Sequence, residues 1–364
     1  MPVPAYPEFK PWTLPKETQT ELDYAPLAVL DFAKWDLPGG KQELACELRD
    51  AVRTMGFWAI KNPGVSQAEM DRMFAFANTF FDLPEEQKME VTIVDGKTVF
   101  QGYRPPGIVK GTTHKENFEI LALRRFYRGC TNQRHGFVKH YQETITAFQN
   151  LVHEKVIVRL FTLLSIILEL PLNHFLDMHK LDKESDSHLR YIKYHARTTE
   201  QDKAVNNQWL SGHTDFGTIT LLFPQPVAGL QVLTSENEWK WVKYVEGGII
   251  CNAADVLSMM TKGYVKSAVH RVTRPPPDQT HLTRLGMFFF LRPADDVPMK
   301  PSFSPVLQRE GLWTAEDDAH DQDDTTTCGE FVIARLKNYN PSRQPDRKEN
   351  EVLRFKNWQV QNKY

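Results

Sequence analysis

The chain has 364 residues, 41% of them hydrophobic and 25% charged, with 44 Lys and Arg against 46 Asp and Glu for a formal net charge of −2. These are the proportions of an ordinary globular protein with room for one large core or two modest ones, and they lack the cationic footprint of a nucleic-acid or anionic-membrane binder. Four scattered cysteines, Cys46, Cys130, Cys251 and Cys328, form no CxxC pair and fit reduced thiols of a cytoplasmic protein better than a disulfide framework or a zinc site.

Residues 1–25 read as an N-terminal arm, with prolines at positions 2, 4, 7, 11 and 15 and no apolar run of the kind a secretory signal needs. The region 26–184 is helix-rich. A short apolar run over 27–32 predicts a strand, and apolar residues at helical spacing (Leu44, Ala45, Leu48, Ala51, Val52, Met55) predict a helix over 41–55, ended by Gly56. Residues 57–60 predict a second strand. Ser66 and Glu69 form a capping-box signature for a helix running through Phe81, and Pro84 opens a short helical turn over 84–88. One long helix is expected over 134–170. Its most apolar part, 156–172, is interrupted by Arg159 and Glu169 and ends at Pro171, which favours a buried helix over a membrane span.

From about Ser185 the character changes to short β-like runs, at 189–195, 219–223, 230–233, 240–244, 248–252, 269–273 and 285–291, separated by Gly, Pro, Asn and Asp. A helix-rich half leading into a strand-rich one predicts a mainly β protein with flanking helices, a double-stranded β-helix (jelly-roll) core over 185–300 buttressed by the N-terminal region. The remainder, 301–364, holds an acidic loop over 316–324 and a tail that begins as a helix near Phe331. Phe355, Trp358 and Tyr364 would let that tail fold over a site as a lid, or it is a disordered end.

Three side chains carry the chemistry. His213 and Asp215 lie two apart, so on extended backbone both face one side, and His270 follows in an alternating segment that sets it opposite Val269 and Arg271. Two imidazoles and one carboxylate are the ligand set of a non-haem Fe(II) with open positions. An HxD alone is close to a coincidence in a chain this rich in both residues. Arg284 stands in a further strand, and a guanidinium beside such a metal suits an anionic co-substrate. Alternation places Phe288 and Phe290 on the face of Arg284. With Phe216 they are the expected pocket wall. Arg190 either lines the same pocket or pairs with an acidic residue. His114 and Glu116 repeat the metal-like spacing on a surface segment; His188, His195 and His281 read as structural or supporting; Asn252 and Asp255 read as turn residues.

Several of these stretches, in order, resemble the 2-oxoglutarate/Fe(II)-dependent dioxygenase family, in the branch that includes isopenicillin N synthase. They are Gly56-Phe57-Trp58 with Asn62-Pro63-Gly64-Val65, Phe80-Phe81-Asp82-Leu83-Pro84-Glu85-Glu86, Gln101-Gly102-Tyr103 as a turn, the segment from His213 to Leu222, Gly229-Leu230-Gln231-Val232, Asn252-Ala253-Ala254-Asp255 and His270-Arg271-Val272. The resemblance implies His213, Asp215 and His270 as catalytic iron ligands, Arg284 and Tyr194 as the grip on a carboxylate of 2-oxoglutarate, and Fe(II), 2-oxoglutarate and O2 as cofactor and co-substrates. It implies oxidation of a C–H bond in a small organic molecule, by hydroxylation, desaturation or ring chemistry, as in fungal secondary metabolism. Two positions depart from the family pattern: Gly286 stands where a serine is usual, and Ile192 where many relatives have asparagine. An oxidase that dispenses with 2-oxoglutarate, as isopenicillin N synthase does, and a non-catalytic jelly-roll binding protein stay open as alternatives. Thymine 7-hydroxylase has similar strands, but Ser187 replaces its pyrimidine-contacting asparagine, which weakens a nucleobase reading.

Overall fold

The computed structural model describes residues 6–93, 100–109, 112–125, 134–314, 317, 326–339, 352–355 and 358–361. Strand β1 (Ala28–Asp31) runs parallel to β2 (Phe57–Lys61), with helix α1 (Gly40–Thr54) between them. Gly56 ends α1 with φ 70°, and a Cβ there would sit 2.2 Å from the Lys266 carbonyl oxygen, so this close approach requires glycine. Helix α2 (Gln67–Phe81) starts at the expected capping box, the Ser66 side chain accepting from Glu69 N while Glu69 accepts from Ser66 N, and the short α3 (Glu85–Lys88) follows Pro84.

Residues 102–104 form strand β3 (Gly102–Arg104) rather than a turn, paired with β4 (Phe118–Arg124). The single helix expected over 134–170 is divided into α4 (Gly136–His140), α5 (Gln142–Val152) and α6 (Val158–Ile167). Tyr141 leaves helical geometry (φ −100°, ψ 17°) because it serves the N-terminal arm: its ring lies 4.3 Å from that of Phe9 and its hydroxyl donates to the Pro7 carbonyl at 2.6 Å. A π-helical turn, His153–Ile157, joins α5 to α6.

After α7 (His174–Met178) come β5 (His188–Tyr194), α8 (Thr199–Ala204), β6 (Gln208–His213), β7 (Ile219–Phe223), β8 (Leu230–Leu233), β9 (Trp239–Trp241), β10 (Ile249–Ala253), α9 (Asp255–Met260), β11 (His270–Thr273) and β12 (Arg284–Phe290). Strand β9 is shorter than the run expected over 240–244. The short helix α10 (Pro305–Arg309) and helix α11 (Cys328–Tyr339) follow, then a hairpin of β13 (Val352–Phe355) and β14 (Trp358–Gln361). Glu316 and residues 318–324 of the acidic run, and Tyr364 of the tail, lie outside the described residues.

Two sheets form the core. One has eight strands in the order β1-β2-β10-β7-β12-β5-β4-β3, the other four in the order β6-β11-β8-β9. The period-two alternation of the central strands assigns their faces. Leu285, Met287, Phe289 and Leu291, with Leu189 and Tyr191, bury against the helices in the largest apolar cluster. Phe118, Ile192, Tyr194 and Leu222 face the smaller sheet, packing on Trp209, Val272, Leu230 and Val232 in two smaller clusters. The helices therefore buttress one face of the large sheet, and the space between the sheets is left for the site.

Candidate metal centre and co-substrate pocket

The HxD pair does not sit on one strand. His213 is the last residue of β6, in the four-stranded sheet, and Asp215 lies in the loop that crosses to β7, in the eight-stranded sheet. The crossing brings the carboxylate inward, where Thr220 Oγ1 (2.6 Å) and Asn252 Nδ2 (2.9 Å) both donate to Asp215 Oδ2. The other oxygen, Oδ1, stands 3.8 Å from His213 Nε2 and 3.8 Å from His270 Nε2. His270 is the direct ladder partner of His213 at the β11–β6 pairing, with ring centroids 4.4 Å apart. One ligand atom from each of the three side chains lies within 4.8 Å of the others, and among the described residues no other His, Cys, Asp or Glu group converges in this way.

Both imidazoles have a fixed tautomer. His213 Nδ1–H donates to the Ser211 carbonyl (2.9 Å) and His270 Nδ1–H to the Ala268 carbonyl (3.2 Å), which turns both Nε2 lone pairs toward Asp215. Burial, then the neighbouring His270, pushes the His213 pKa down to about 4, so this ring is neutral and able to ligate near pH 7. Burial works against the Asp215 charge, but the two histidines and the two hydrogen bonds outweigh it and hold its pKa below the ordinary value. Two imidazoles with their Nε2 atoms turned inward and an ionised carboxylate fit a divalent cation.

Between the two sheets, Arg284 and Tyr194 are ladder partners on β12 and β5, 2% and 0% exposed. The guanidinium lies 5.5 Å from the Tyr194 ring and its Nε donates to the Val227 carbonyl at 3.3 Å. Arg284 Nη1 and the Tyr194 hydroxyl are buried without any hydrogen-bond partner. Two orphaned donors in a protein interior carry a desolvation cost that a bound carboxylate would remove. A carboxylate therefore fits between them.

The two departures from the family pattern have one physical explanation. A Cβ on Gly286 would lie 2.6 Å from Phe288 Cε2, so the phenyl ring fills the space of the missing serine. Ile192 faces Gly286 across the ladder and packs among Phe118, Tyr194, Trp209 and Val272. Polar contacts have been exchanged for an apolar wall.

Phe288 stacks on Phe290 at 5.9 Å, both on the Arg284 face. The Arg190 guanidinium lies over Phe290 (4.7 Å) and Phe100 (5.2 Å), which sets it along this aromatic wall. Phe216 is covered by the Arg335 guanidinium at 4.6 Å. Elsewhere, Glu116 pairs with Arg104 (2.7 Å) while His114 is exposed, so the second metal-like spacing does not converge. His195 meets Glu119, and Ser187 bonds the backbone of Arg292 in both directions. The turn assignment for Asn252 and Asp255 is corrected. Asn252 holds the metal-facing carboxylate, and Asp255 accepts from Thr214 (3.2 Å), Ser267 (2.7 Å) and Arg335 (2.9 Å) while its own N–H donates to the Asp215 carbonyl (2.9 Å). Alternation on β10, with Ile250 turned inward, was the signal for Asn252; nothing local pointed to Arg335.

A His-Asp-His cluster between two sheets, with a buried arginine in the same inter-sheet space, is the arrangement of a mononuclear non-haem iron oxygenase. The family model described as the N-terminal region of non-haem dioxygenase in morphine synthesis matches residues 27–141, and that of the 2OG-Fe(II) oxygenase superfamily matches 183–293. The chain belongs to this superfamily, and it is an oxidoreductase that uses Fe(II), 2-oxoglutarate and O2. It is 27% identical over 301 residues to a UPF0676 protein of Schizosaccharomyces pombe, covering 80% of this chain and 86% of the relative. It is 28% identical to gibberellin 3-beta-dioxygenase 4 of Arabidopsis thaliana, over 72% of this chain and 75% of that one. The same jelly-roll fold occurs in a 2OG-Fe(II) oxygenase family protein of Caulobacter crescentus (TM-score 0.73, 24% identity, 87% of this chain and 100% of that chain). It also occurs in a full-length Neurospora crassa protein solved in complex with alpha-KG (TM-score 0.73, 22% identity, 89% and 100%). No described helix is long and apolar enough to cross a membrane.

Proposed function

We propose that His213, Asp215 and His270 hold the Fe(II), that Arg284 and Tyr194 take the distal carboxylate of 2-oxoglutarate, and that the enzyme oxidises a C–H bond of a small organic molecule. With O2, the bound iron and co-substrate supply the oxidising power as 2-oxoglutarate is converted to succinate and CO2. The observation that carries the co-substrate assignment is the buried pair of unpartnered donors, Arg284 Nη1 and the Tyr194 hydroxyl, on adjacent strands between the two sheets. The Ser211 and Ala268 carbonyls orient the imidazoles, and Thr220 and Asn252 orient the carboxylate. Phe216, Phe288 and Phe290 supply a wall that excludes water from the reacting carbon, with Arg190 at its rim. Relatives named scopoletin 8-hydroxylase and azadirone synthase support a small natural product as the class of substrate.

The test measures succinate formed per product, together with anaerobic binding of Fe(II) and of 2-oxoglutarate to the wild type, His270→Ala and Arg284→Gln. His270→Ala should lose iron affinity and all turnover. Arg284→Gln should keep iron and weaken 2-oxoglutarate about ten- to a hundredfold, the worth of one charge-assisted contact. Turnover independent of 2-oxoglutarate would show that Arg284 grips a substrate instead.

A further inference from the structure

Arg292 lies two residues beyond β12, on the same alternating face as Arg284, Phe288 and Phe290. It is 4% exposed, and its Nε and Nη1 have no hydrogen-bond partner. The nearby acids already have other partners: Asp186 pairs with Arg124 (3.2 Å), Asp255 with Arg335 (2.9 Å), and Asp215 faces the two histidines and accepts from Thr220 and Asn252. Among the described residues, Asp295 makes no ion pair with it either. What surrounds the guanidinium is aromatic: the Phe100 ring at 4.1 Å and the Phe216 ring at 6.0 Å, Phe216 being the neighbour of Asp215 in the chain. A buried guanidinium with two of its nitrogens turned to ring faces and no hydrogen-bonded counter-ion is costly unless an anion completes it.

The rings form a stacked column: Phe100 stacks on His188 (4.4 Å, 12°), His188 on Phe290 (4.9 Å, 18°) and Phe290 on Phe288 (5.9 Å, 26°), so a row of ring edges runs from Arg292 to the space above Gly286, its Phe100–His188 end buried and Phe290 and Phe288 partly exposed. Phe100 holds its end of this row with a left-handed backbone (φ 65°), a conformation that costs a non-glycine residue on the order of 1 kcal/mol or more. Strain kept at this point is consistent with a ring that has to be there.

We infer that the substrate is a carboxylate-bearing small molecule with an apolar body, its carboxylate on Arg292 and its body against the edges of Phe290 and Phe288. This deepens the function proposed above and rests on it for the reaction, while the binding test stands apart. The Fe(II) enzyme, with and without 2-oxoglutarate, is titrated calorimetrically under anaerobic conditions with matched pairs: phenylacetate and phenylacetamide, cinnamate and cinnamamide, 2-naphthoate and 2-naphthamide. At least one acid should bind about ten- to a hundredfold more tightly than its amide, as expected when a buried charge gains its counter-ion. Arg292→Gln should erase that difference, Arg292→Lys should keep part of it, and both should bind 2-oxoglutarate as the wild type does. Arg292→Met, which removes an uncompensated charge, should melt no lower than the wild type, so that a lost preference cannot be assigned to misfolding. Amides that bind as well as acids throughout the series, or an acid preference that survives Arg292→Gln, would overturn the inference. Failure of the wild type to bind 2-oxoglutarate would count against the assigned co-substrate site and not against this one.

Discussion

Gly286 and Phe288 share one space beside Arg284, and this fixes what each can be. The phenyl ring lies where a side chain at position 286 would begin, so restoring the serine usual in the family should not restore a hydrogen bond to the co-substrate. Gly286→Ser is expected to cost about 1–3 kcal/mol of stability through overpacking and to weaken 2-oxoglutarate binding by displacing the ring toward Arg284. Adding Phe288→Ala should relieve most of that loss, giving a non-additive pair in a double-mutant cycle read by thermal melting and by 2-oxoglutarate titration. A single Gly286→Ser variant that melts normally and binds 2-oxoglutarate more tightly would show that the ring gives way freely. The coupled substitution also explains why the departure looked like a defect: Gly286 read alone is a lost donor, while Gly286 read with Phe288 is a rebuilt wall.

Strand β4 shows how an element is pinned to the helical layer. Glu119, on the face of β4 opposite the site, accepts from Lys88 (2.8 Å), the Tyr103 hydroxyl (2.8 Å) and His195 (2.9 Å). Burial works against its charge, but these hydrogen bonds and the Lys88 charge prevail and lower its pKa to about 2. The folded value is depressed, so the stabilisation is fully present above the ordinary carboxyl range near 4.5 and is lost as pH falls toward 2. Glu119→Gln should therefore cost about 1–3 kcal/mol at neutral pH and flatten the acid limb of the stability curve, followed by urea unfolding from pH 7 downward. An unchanged acid limb would remove Glu119 from this role. Elements of this kind were readable in the chain because their signals are local: short β-like runs between turn residues identified β5, β7 and β12, and the Ser66–Glu69 box identified α2. What was not readable depends on distant partners. The break at Tyr141 follows from Phe9 and Pro7, and the metal loop lies between sheets rather than on a strand because Asp215 is drawn to Thr220 and Asn252. The triad itself was legible as a residue set; the groups that orient it belonged to the tertiary fold.

At the scale of the molecule, helix α11 is tied to the proposed iron site by a buried ion pair. Arg335 Nη2 donates to Asp255 Oδ2 at 2.9 Å, and both residues are at least nine-tenths buried. Through Thr214 and Ser267, Asp255 reaches the loop that carries Asp215 and the loop that leads into His270, and its backbone N–H holds the Asp215 carbonyl. Cys328, Phe331 and Val332 of α11 pack with Phe100, Ala122, Val256 and Met260, so the helix also abuts the proposed substrate wall at Phe100. Removing one member of a buried pair leaves the other charge uncompensated, at a cost of about 3–5 kcal/mol. Arg335→Met should lose stability of that order, speed amide exchange in both α11 and α9, and lower iron affinity, because the 214 and 267 contacts share the freed carboxylate. Adding Asp255→Asn removes the stranded charge and should recover part of the melting temperature without recovering the exchange protection of α11. Calorimetry and hydrogen exchange on the two variants separate a clasp from ordinary packing: if α11 stays protected and iron binding is unchanged in Arg335→Met, the helix is held by its apolar face alone and the ion pair does not couple it to the metal loops.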